Sequence, residues 1–203
     1  MKVVSYWGPR KEEVGQCADR LILMFSNLAE VSPLFSCWYK KANSRKKALS
    51  EEPIDSSNKD NVVSELLHGA SRYYDSNEVI EDLGYRVGWW NKGNDKDGAE
   101  FGVRCALYNA SSGLRNSVVI TIPKALISES GLSTYKKLIT GVVEAWEPEW
   151  GGVCNLEDLA ASQGPNKVGK VVFIRGRTLD IKADSSLREL EKLGDGMLYF
   201  RGA

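Results

Sequence analysis

The feature that most constrains the fold is a change of hydrophobic period in the middle of the chain. From Tyr85 to Trp90, and again from Phe101 to Tyr108, apolar residues alternate with polar or small ones. A period of two places successive side chains on opposite faces of a strand. Residues 91–98 and 109–116 are rich in Asn, Asp, Gly and Ser, which is typical of hairpin loops. With residues 117–122 as a third strand, the pattern predicts an antiparallel meander.

Segments with helical spacing lie on both sides of this meander. Apolar residues recur every three or four positions between Val14 and Ala29, which predicts an amphipathic helix of about five turns. Pro33 is expected to end it. The same spacing returns over residues 135–146 and predicts a second long helix after the meander.

Shorter elements are predicted elsewhere. A helix beginning near Asp60 is expected to carry Tyr73 and Tyr74 on its buried face. Residues 150–154, 168–175 and 197–201 have the pattern of strands, and residues 155–161 that of a short helix. Residues 186–193 resemble a helix that starts with a capping box and ends at Gly194.

Helices flanking hairpin-linked strands indicate the α+β class. We expect a mainly antiparallel sheet with a central meander and helices packed on one face. A regular parallel α/β sheet would need strand and helix to alternate throughout, and residues 85–122 do not. The 203 residues suffice for a core that buries about 70% of the unfolded surface, so we expect residues 1–203 to form a single domain.

Composition argues against several classes of protein. The 27 basic and 27 acidic side chains cancel, whereas nucleic-acid binders usually carry a basic excess. No apolar run has the length of a signal peptide or a membrane span, so the expected location is cytoplasmic, without a membrane partner. The four cysteines show no short paired spacing and are expected to be reduced and mostly buried: Cys17, Cys37, Cys105 and Cys154.

The sequence lacks a recognisable catalytic set. His68 is the one histidine, and no Gly-x-Ser-x-Gly motif supplies a nucleophile for it. No cysteine has a second cysteine or a histidine two to four residues away, and no phosphate-binding glycine motif occurs. We therefore expect a protein that is not an enzyme and that needs no cofactor or metal. A carboxylate-dependent hydrolase is the alternative, because a fold can bring any two acids together.

Residues 138–166 contain five acids and no Lys or Arg. Trp is enriched among interface anchors, and carboxylates can attract a basic partner. This stretch therefore supplies the candidate partner-binding residues, although a solvated loop with its tryptophans in the core would give the same pattern. The candidates are Glu144, Glu147, Glu149, Trp150, Glu157 and Asp158.

A basic run permits a third function, nucleic-acid binding. Residues 40–47 carry five cations, and Trp38 and Tyr39 precede them as possible stacking partners for nucleotide bases. Overall neutrality weakens this idea, and clustered cations also serve to keep an exposed strand edge from pairing.

Several separated motifs resemble the immunity protein 52 family, in the same order along most of the chain. They are Tyr6-Trp7-Gly8-x-Arg10, Cys17-Ala18-x-Arg20, Pro33-x-Phe35 with Trp38 behind it, Gly88-Trp89-Trp90-Asn91 and Ala145-Trp146-x-Pro148-x-Trp150. The last fifty residues match the family pattern least well.

The resemblance implies an α+β bacterial protein that binds and neutralises a cognate toxin encoded by a neighbouring gene. The family's usual partner is a nuclease of restriction-endonuclease type from a polymorphic or secretion-delivered toxin system. Such an inhibitor requires no cofactor and no catalytic residue. A nuclease presents a positive surface to its substrate, which strengthens the case for the acidic stretch. The opening segment around Trp7 and Arg10 is expected to fix helix packing rather than to contact a partner.

Overall fold

The computed structural model describes residues 1–129, 131–155, 169–176 and 187–201. In this part of the chain the strands are β1 (Lys2–Trp7), β2 (Trp38–Lys40), β3 (Pro53–Ile54), β4 (Tyr85–Trp90), β5 (Glu100–Cys105), β6 (Asn116–Thr121), β7 (Trp150–Cys154), β8 (Val171–Arg175), β9 (Leu187–Leu193) and β10 (Gly196–Arg201). They form one sheet in the order β3-β2-β4-β5-β6-β1-β7-β8-β10-β9. Every pairing in it is antiparallel.

Five α-helices accompany the sheet in the described residues. They are α1 (Val14–Val31), α2 (Arg45–Ser50), α3 (Lys59–His68), α4 (Lys124–Glu129) and α5 (Leu132–Trp146). Helix α1 packs between α3 and α5, α3 contacts β4, and α5 contacts β1, β7 and β8. Helices on one face of an antiparallel sheet confirm the predicted α+β class. The meander is confirmed as β4, β5 and β6, which are neighbours in the sheet.

The main core lies between the sheet and the helices. Helix α1 turns its apolar stripe inward, and Phe25 lies within 6 Å, ring centroid to centroid, of Trp38, Trp89 and Phe101. Aromatic groups of this size dominate the burial that stabilises a core. These side chains are all nearly or fully buried.

The opposite face of the sheet carries a smaller apolar cluster. Strand β1 contributes to both faces, because Val3 belongs to the main core and Val4 to the second cluster, and neither is exposed. Around Val4 lie Trp150, Val172 and Tyr199. A strand buried on both faces loses the apolar–polar alternation that marks a half-buried one. This explains why the sequence pattern did not reveal β1.

The predicted position of Tyr73 and Tyr74 is wrong. Helix α3 ends at His68, and a Cβ atom on the following Gly69 would lie 2.1 Å from the carbonyl oxygen of Arg86. Only glycine allows the chain to pass strand β4 this closely. The chain then leaves the helix, and both tyrosines lie on the surface.

The predicted helix at residues 186–193 is also wrong, because Leu187–Leu193 is the edge strand β9. It pairs with β10 through a turn in which Gly194 has φ of 58°. A helix end and a tight hairpin both favour glycine at positive φ, so this residue fits either structure. The predicted short helix at residues 155–161 falls, beyond Asn155, outside the described residues.

Three of the four cysteines are buried, as predicted: Cys17, Cys105 and Cys154. Cys37 is partly exposed. Within the described residues, no helix combines the length and apolar character needed to cross a membrane.

Candidate functional site

The C-terminal end of α5 is where two arginines from the N-terminal part of the chain converge. Arg10 donates a hydrogen bond from Nη2 to the carbonyl of Trp146 (3.0 Å), and Arg20 donates from Nη1 to the carbonyl of Ala145 (2.7 Å). Glu147 ends the helix in the left-handed conformation, with φ of 48°. The last carbonyls of a helix lack partners within it and carry partial negative charge, so the guanidinium groups stabilise this end.

A buried carboxylate holds the two arginines in place. Glu12, whose side chain is 7% exposed, lies 3.0 Å from Arg10 Nε and 2.7 Å from Arg20 Nε. Glu147 approaches from the solvent side, 3.0 Å from Arg20 Nη2. Burial lowers the pKa of Arg20, but attraction to Glu12 and Glu147 outweighs it and raises that pKa above its ordinary value. The cluster of Arg10, Glu12, Arg20 and Glu147, here called the arginine cluster, thus joins residues far apart in sequence.

Aromatic stacking supports the arginine cluster from within the core. The rings of Trp7 and Trp146 stack with centroids 5.4 Å apart, and Arg10 lies 5.1 Å from the centroid of the Trp7 ring. Trp146 Nε1 donates to the sulfur of Met24 (3.3 Å). These contacts lock β1, α1 and α5 together, in agreement with the expectation that the opening segment fixes helix packing.

Trp150 occupies a buried position on the opposite face of the sheet. It is 5% exposed and stacks on Tyr6, with ring centroids 5.9 Å apart. The preceding residue, Glu149, accepts a hydrogen bond at Oε1 from the backbone N–H of Gly8 (3.1 Å). Of the residues predicted to bind a partner, Trp150 therefore acts in this chain as a packing residue.

The predicted carboxylates divide into three groups. Glu147 is neutralised inside the arginine cluster. Glu144 and Glu149 are exposed, and neither forms an ion pair with a described residue; Asn27 donates to Glu144 Oε2 (3.2 Å). Glu157 and Asp158 lie outside the described residues. Glu144 and Glu149 are thus the described members with carboxylates free to meet an incoming cation.

A groove of about 310 Å³ lies beside these carboxylates, lined in part by Glu144, Phe173 and Leu193. Arg175 crosses it, donating to the carbonyl of Glu147 (2.8 Å) and to Asp195 Oδ2 (2.6 Å). The hydrogen bond from Arg175 lowers the pKa of Asp195. Since Arg175 already pairs with the Asp195 carboxylate that lines this groove, the groove is suited to polar contact more than to binding a small cation.

Of the groups that could carry chemistry, His68 lies on the surface and Cys105 in the core. His68 is the last residue of α3 and is exposed. Cys105 is buried, and a hydrogen bond with Cys17 together with burial raises the pKa of its thiol, which disfavours the nucleophilic thiolate. Among the described residues, no three His, Cys, Asp or Glu side chains are grouped so that they could hold a metal ion.

The basic run does not present the aromatic surface that base stacking needs. Trp38 is fully buried, and the Nζ atom of Lys92 lies 3.9 Å from the centroid of the Tyr39 ring. Lys40 and Lys41 form ion pairs with Glu65 and Glu100 respectively.

Sequence reasoning missed a different surface. Residues 71–80 form a hairpin on the surface, closed by the pairing of Arg72 with Val79. Four of the seven large hydrophobic side chains exposed in the described residues lie in or next to it: Leu67, Tyr73, Tyr74 and Val79. The run Asp75-Ser76-Asn77 is the signal that could have revealed it, because these residues favour turns.

Comparison with known proteins identifies the family. The fold is similar to that of the Pseudomonas aeruginosa T6SS protein PA0821, with a TM-score of 0.52 at 14% sequence identity. The similarity covers 98% of this chain but 64% of that one, so the chain spans just under two thirds of its length. No curated protein matches the sequence. The profile of the family described as immunity protein 52 matches residues 2–175, which is most of the chain. The chain therefore belongs to the immunity protein 52 family.

Proposed function

We propose that this chain is an antitoxin that protects bacteria by binding a cognate nuclease toxin of restriction-endonuclease type. The observation that carries the proposal is the family match over residues 2–175, since an immunity protein acts on a toxin partner. The similarity in fold to a protein named for the type VI secretion system supports delivery of that toxin between bacteria. The proposed partner is encoded by a neighbouring gene and meets the antitoxin in the cytoplasm.

Inhibition by binding agrees with the chemistry of the chain. Stoichiometric binding needs a complementary surface and no reacting group, either to cover the active site of the toxin or to block an assembly that it requires. A nuclease carries cations where it holds the phosphate backbone. The acid-only stretch, with Glu144 and Glu149 exposed and unpaired among the described residues, supplies carboxylates for such a surface. Glu157 and Asp158 extend this stretch in sequence.

Titrating the toxin with this chain tests the proposal. We expect cleavage of plasmid DNA to fall in proportion to added chain and to stop near one chain per toxin. Cells that express the toxin should regain growth when they also express the chain. Cleavage that persists at a tenfold excess of the chain, together with no rescue of growth, would refute the antitoxin role. Rescue without any cleavage of nucleic acid by the toxin would refute only its assignment as a nuclease.

Glu144 gives the cleanest test of the acidic stretch. We expect Glu144→Lys to slow association with the toxin about threefold or more at low salt, because it reverses a charge that steers a basic partner. Stopped-flow association rates across a salt series measure this effect. Asp95→Lys is the matched control, since Asp95 is an exposed acid on the loop between β4 and β5, away from α5. Equal association rates for the two variants would show that Glu144 does not contribute to association with the toxin. Glu147→Lys is unsuitable, because it would place a cation against Arg10 and Arg20.

A further inference from the structure

The hairpin at residues 71–80 stands out as an interaction surface. Tyr74 is fully exposed, and Tyr73, Val79 and the neighbouring Leu67 are exposed by 52%, 41% and 46%. Single exposed apolar residues are common, but a cluster of them marks a contact site. Tyrosine suits such a site because it offers a large contact area with few rotatable bonds.

The hairpin is held in shape by its own backbone. Tyr73 and Ile80 donate backbone hydrogen bonds to the carbonyls of Glu78 (2.9 Å) and Ser71 (2.8 Å). Asn77 takes the left-handed conformation at the turn, and its carbonyl accepts a hydrogen bond from Arg72 Nη1 (3.0 Å). A preformed hairpin loses little conformational entropy when a partner binds, so the tyrosines are presented ready for contact.

The charge of this segment selects the partner. Asp75, Glu78 and Glu81 are exposed, and none of them forms an ion pair with a described residue. Arg72 is the one cation between residues 71 and 81. A second copy of the chain is disfavoured, because a two-fold interface would set the same acids against one another. A basic protein surface complements both the acids and the tyrosines.

A groove beside the hairpin extends the surface. It measures about 460 Å³ and lies along the exposed side of α3, with Val63 and Leu67 as its apolar part and Asp60, Ser64, His68 and Arg72 as its polar part. Arg72 already donates to the carbonyl of Asn77, whereas the Asp60 carboxylate forms no ion pair with a described residue. An apolar wall next to a carboxylate accommodates the long side chain of Lys or Arg, which buries its stem and keeps its charge paired.

We propose that the surface formed by the hairpin and this groove, here called the tyrosine hairpin surface, is a docking site for a Lys/Arg-rich face of the toxin. This inference rests on the proposed function. Strand register places the hairpin, which precedes β4, and Glu149, which precedes β7, at the same end of the sheet. One row of paired residues crosses the strands at this end: Arg86, Arg104, Ser117, Tyr6 and Trp150. The acidic stretch and the tyrosine hairpin surface can therefore serve one partner.

The test measures toxin binding by variants of the full chain. We expect the double variant Tyr73→Ala/Tyr74→Ala to raise the Kd at least about tenfold, since aromatic anchors carry much of an interface's energy. The double variant Asp75→Lys/Glu78→Lys should slow association and flatten its dependence on salt. Leu49→Ser and Asp95→Lys are the matched controls, because both residues are exposed near the opposite end of the sheet, where Lys92 donates to the carbonyl of Leu49. Unfolding by urea should show equal stability for all variants.

A second measurement does not depend on variants. On binding the toxin, the backbone amides of residues 73–80 should exchange hydrogen more slowly, and those of the control loop at residues 91–98, at the opposite end of the sheet, should not. Wild-type Kd for both hairpin variants, or unchanged exchange in the hairpin of the complex, would overturn the docking site while leaving the antitoxin role intact. Absence of any complex between the unaltered chain and the toxin would overturn both.

Discussion

At the scale of single residues, Arg20 connects parts of the chain that are distant in sequence. Its guanidinium reaches Glu12, Glu147 and the carbonyl of Ala145 at the same time. Because Glu12 is nearly buried, removing one of its two cations leaves a carboxylate partly uncompensated in a poorly hydrated place. The position therefore matters to stability more than a surface ion pair does.

We expect Arg20→Met to lower the free energy of unfolding by about 2 kcal/mol or more, because a charged hydrogen-bond network is broken at a helix end. Urea unfolding followed by circular dichroism measures the change. Lys41→Met is the control, since Lys41 and Glu100 are both about half exposed. It should cost less than about 1 kcal/mol. Equal losses for the two variants would show that the arginine cluster is not a structural centre.

Cys105 predicts how stability depends on pH. Its hydrogen bond with Cys17 and its burial raise the pKa of the thiol in the folded chain above the ordinary value of 9.0. As pH rises, the unfolded chain loses this proton at a lower pH than the folded chain does. Rising pH therefore favours the unfolded chain, and the stability of the fold decreases. The contribution is complete below about pH 9 and is lost above it, by up to about 1.4 kcal/mol per pH unit.

Urea unfolding of the wild type and of Cys105→Ala between pH 8 and pH 10 tests this. The wild type should lose more stability over that range than the variant, whatever their difference at pH 8. Identical slopes would show that Cys105 keeps an ordinary pKa in the fold. Burial also raises the pKa of Tyr6 and Tyr85 above 10.0, so these residues begin to cost stability as pH approaches 10. Because both proteins contain them, the difference between the two slopes reports Cys105.

At the scale of elements, the pairing of α1 with α5 sets the spacing of the helical layer. Gly141 of α5 faces Asn27 of α1, and a Cβ atom at Gly141 would lie 2.9 Å from the Asn27 Cβ. The two helices therefore approach more closely than any other residue at this position would allow. That approach brings the end of α5 within reach of Arg20 on α1.

We expect Gly141→Ala to destabilise the chain by about 1–2 kcal/mol, because overpacking outweighs the higher helix propensity of Ala. Gly15→Ala is the matched control within α1, where the nearest atom is the flexible end of Lys59 at 3.7 Å. It should leave stability unchanged or raise it. Thermal unfolding measures the stability of the two variants relative to the wild type. Stabilisation by Gly141→Ala would contradict the close contact between α1 and α5.

The elements also show how far sequence reasoning reaches. Long amphipathic segments such as α1, and alternating ones such as β4 and β5, were predicted because periodicity reports a half-buried surface. Strand β1, buried on both faces, has no such period. The two-residue β3 is too short to show one. The end of α3 at Gly69 was missed because it depends on close contact with Arg86 of β4. Gly194 was assigned to a helix end because a helix end and a hairpin turn favour the same residue.

The candidate site was predictable only in part for the same reason. Acid content located Glu144, Glu147 and Glu149, but pairing of Glu147 with Arg10 and Arg20 depends on residues more than 120 positions away. The Trp-rich motifs marked a structural centre and not an exposed anchor, since Trp7, Trp146 and Trp150 are all buried. The exposed tyrosines became apparent only once the fold showed where α3 ends.

At the scale of the whole molecule, the net charge is zero but the acidic side chains are concentrated in particular places. The 27 acids and 27 bases cancel in sum, yet the hairpin and the acid-only stretch carry unpaired carboxylates among the described residues. Local charge of this kind speeds the meeting of oppositely charged partners. The family match ends at Arg175, the last residue of β8, so β9 and β10 extend the sheet beyond the matched region.

The central claim is that this chain neutralises a toxin by direct, stoichiometric binding. Isothermal titration of the purified chain into a catalytically inactive form of the proposed cognate toxin tests this claim most directly. We predict that the heat saturates at one chain per toxin, with a Kd below about 1 μM. No heat of binding, together with separate elution of the two proteins in size-exclusion chromatography at micromolar concentration, would contradict the claim.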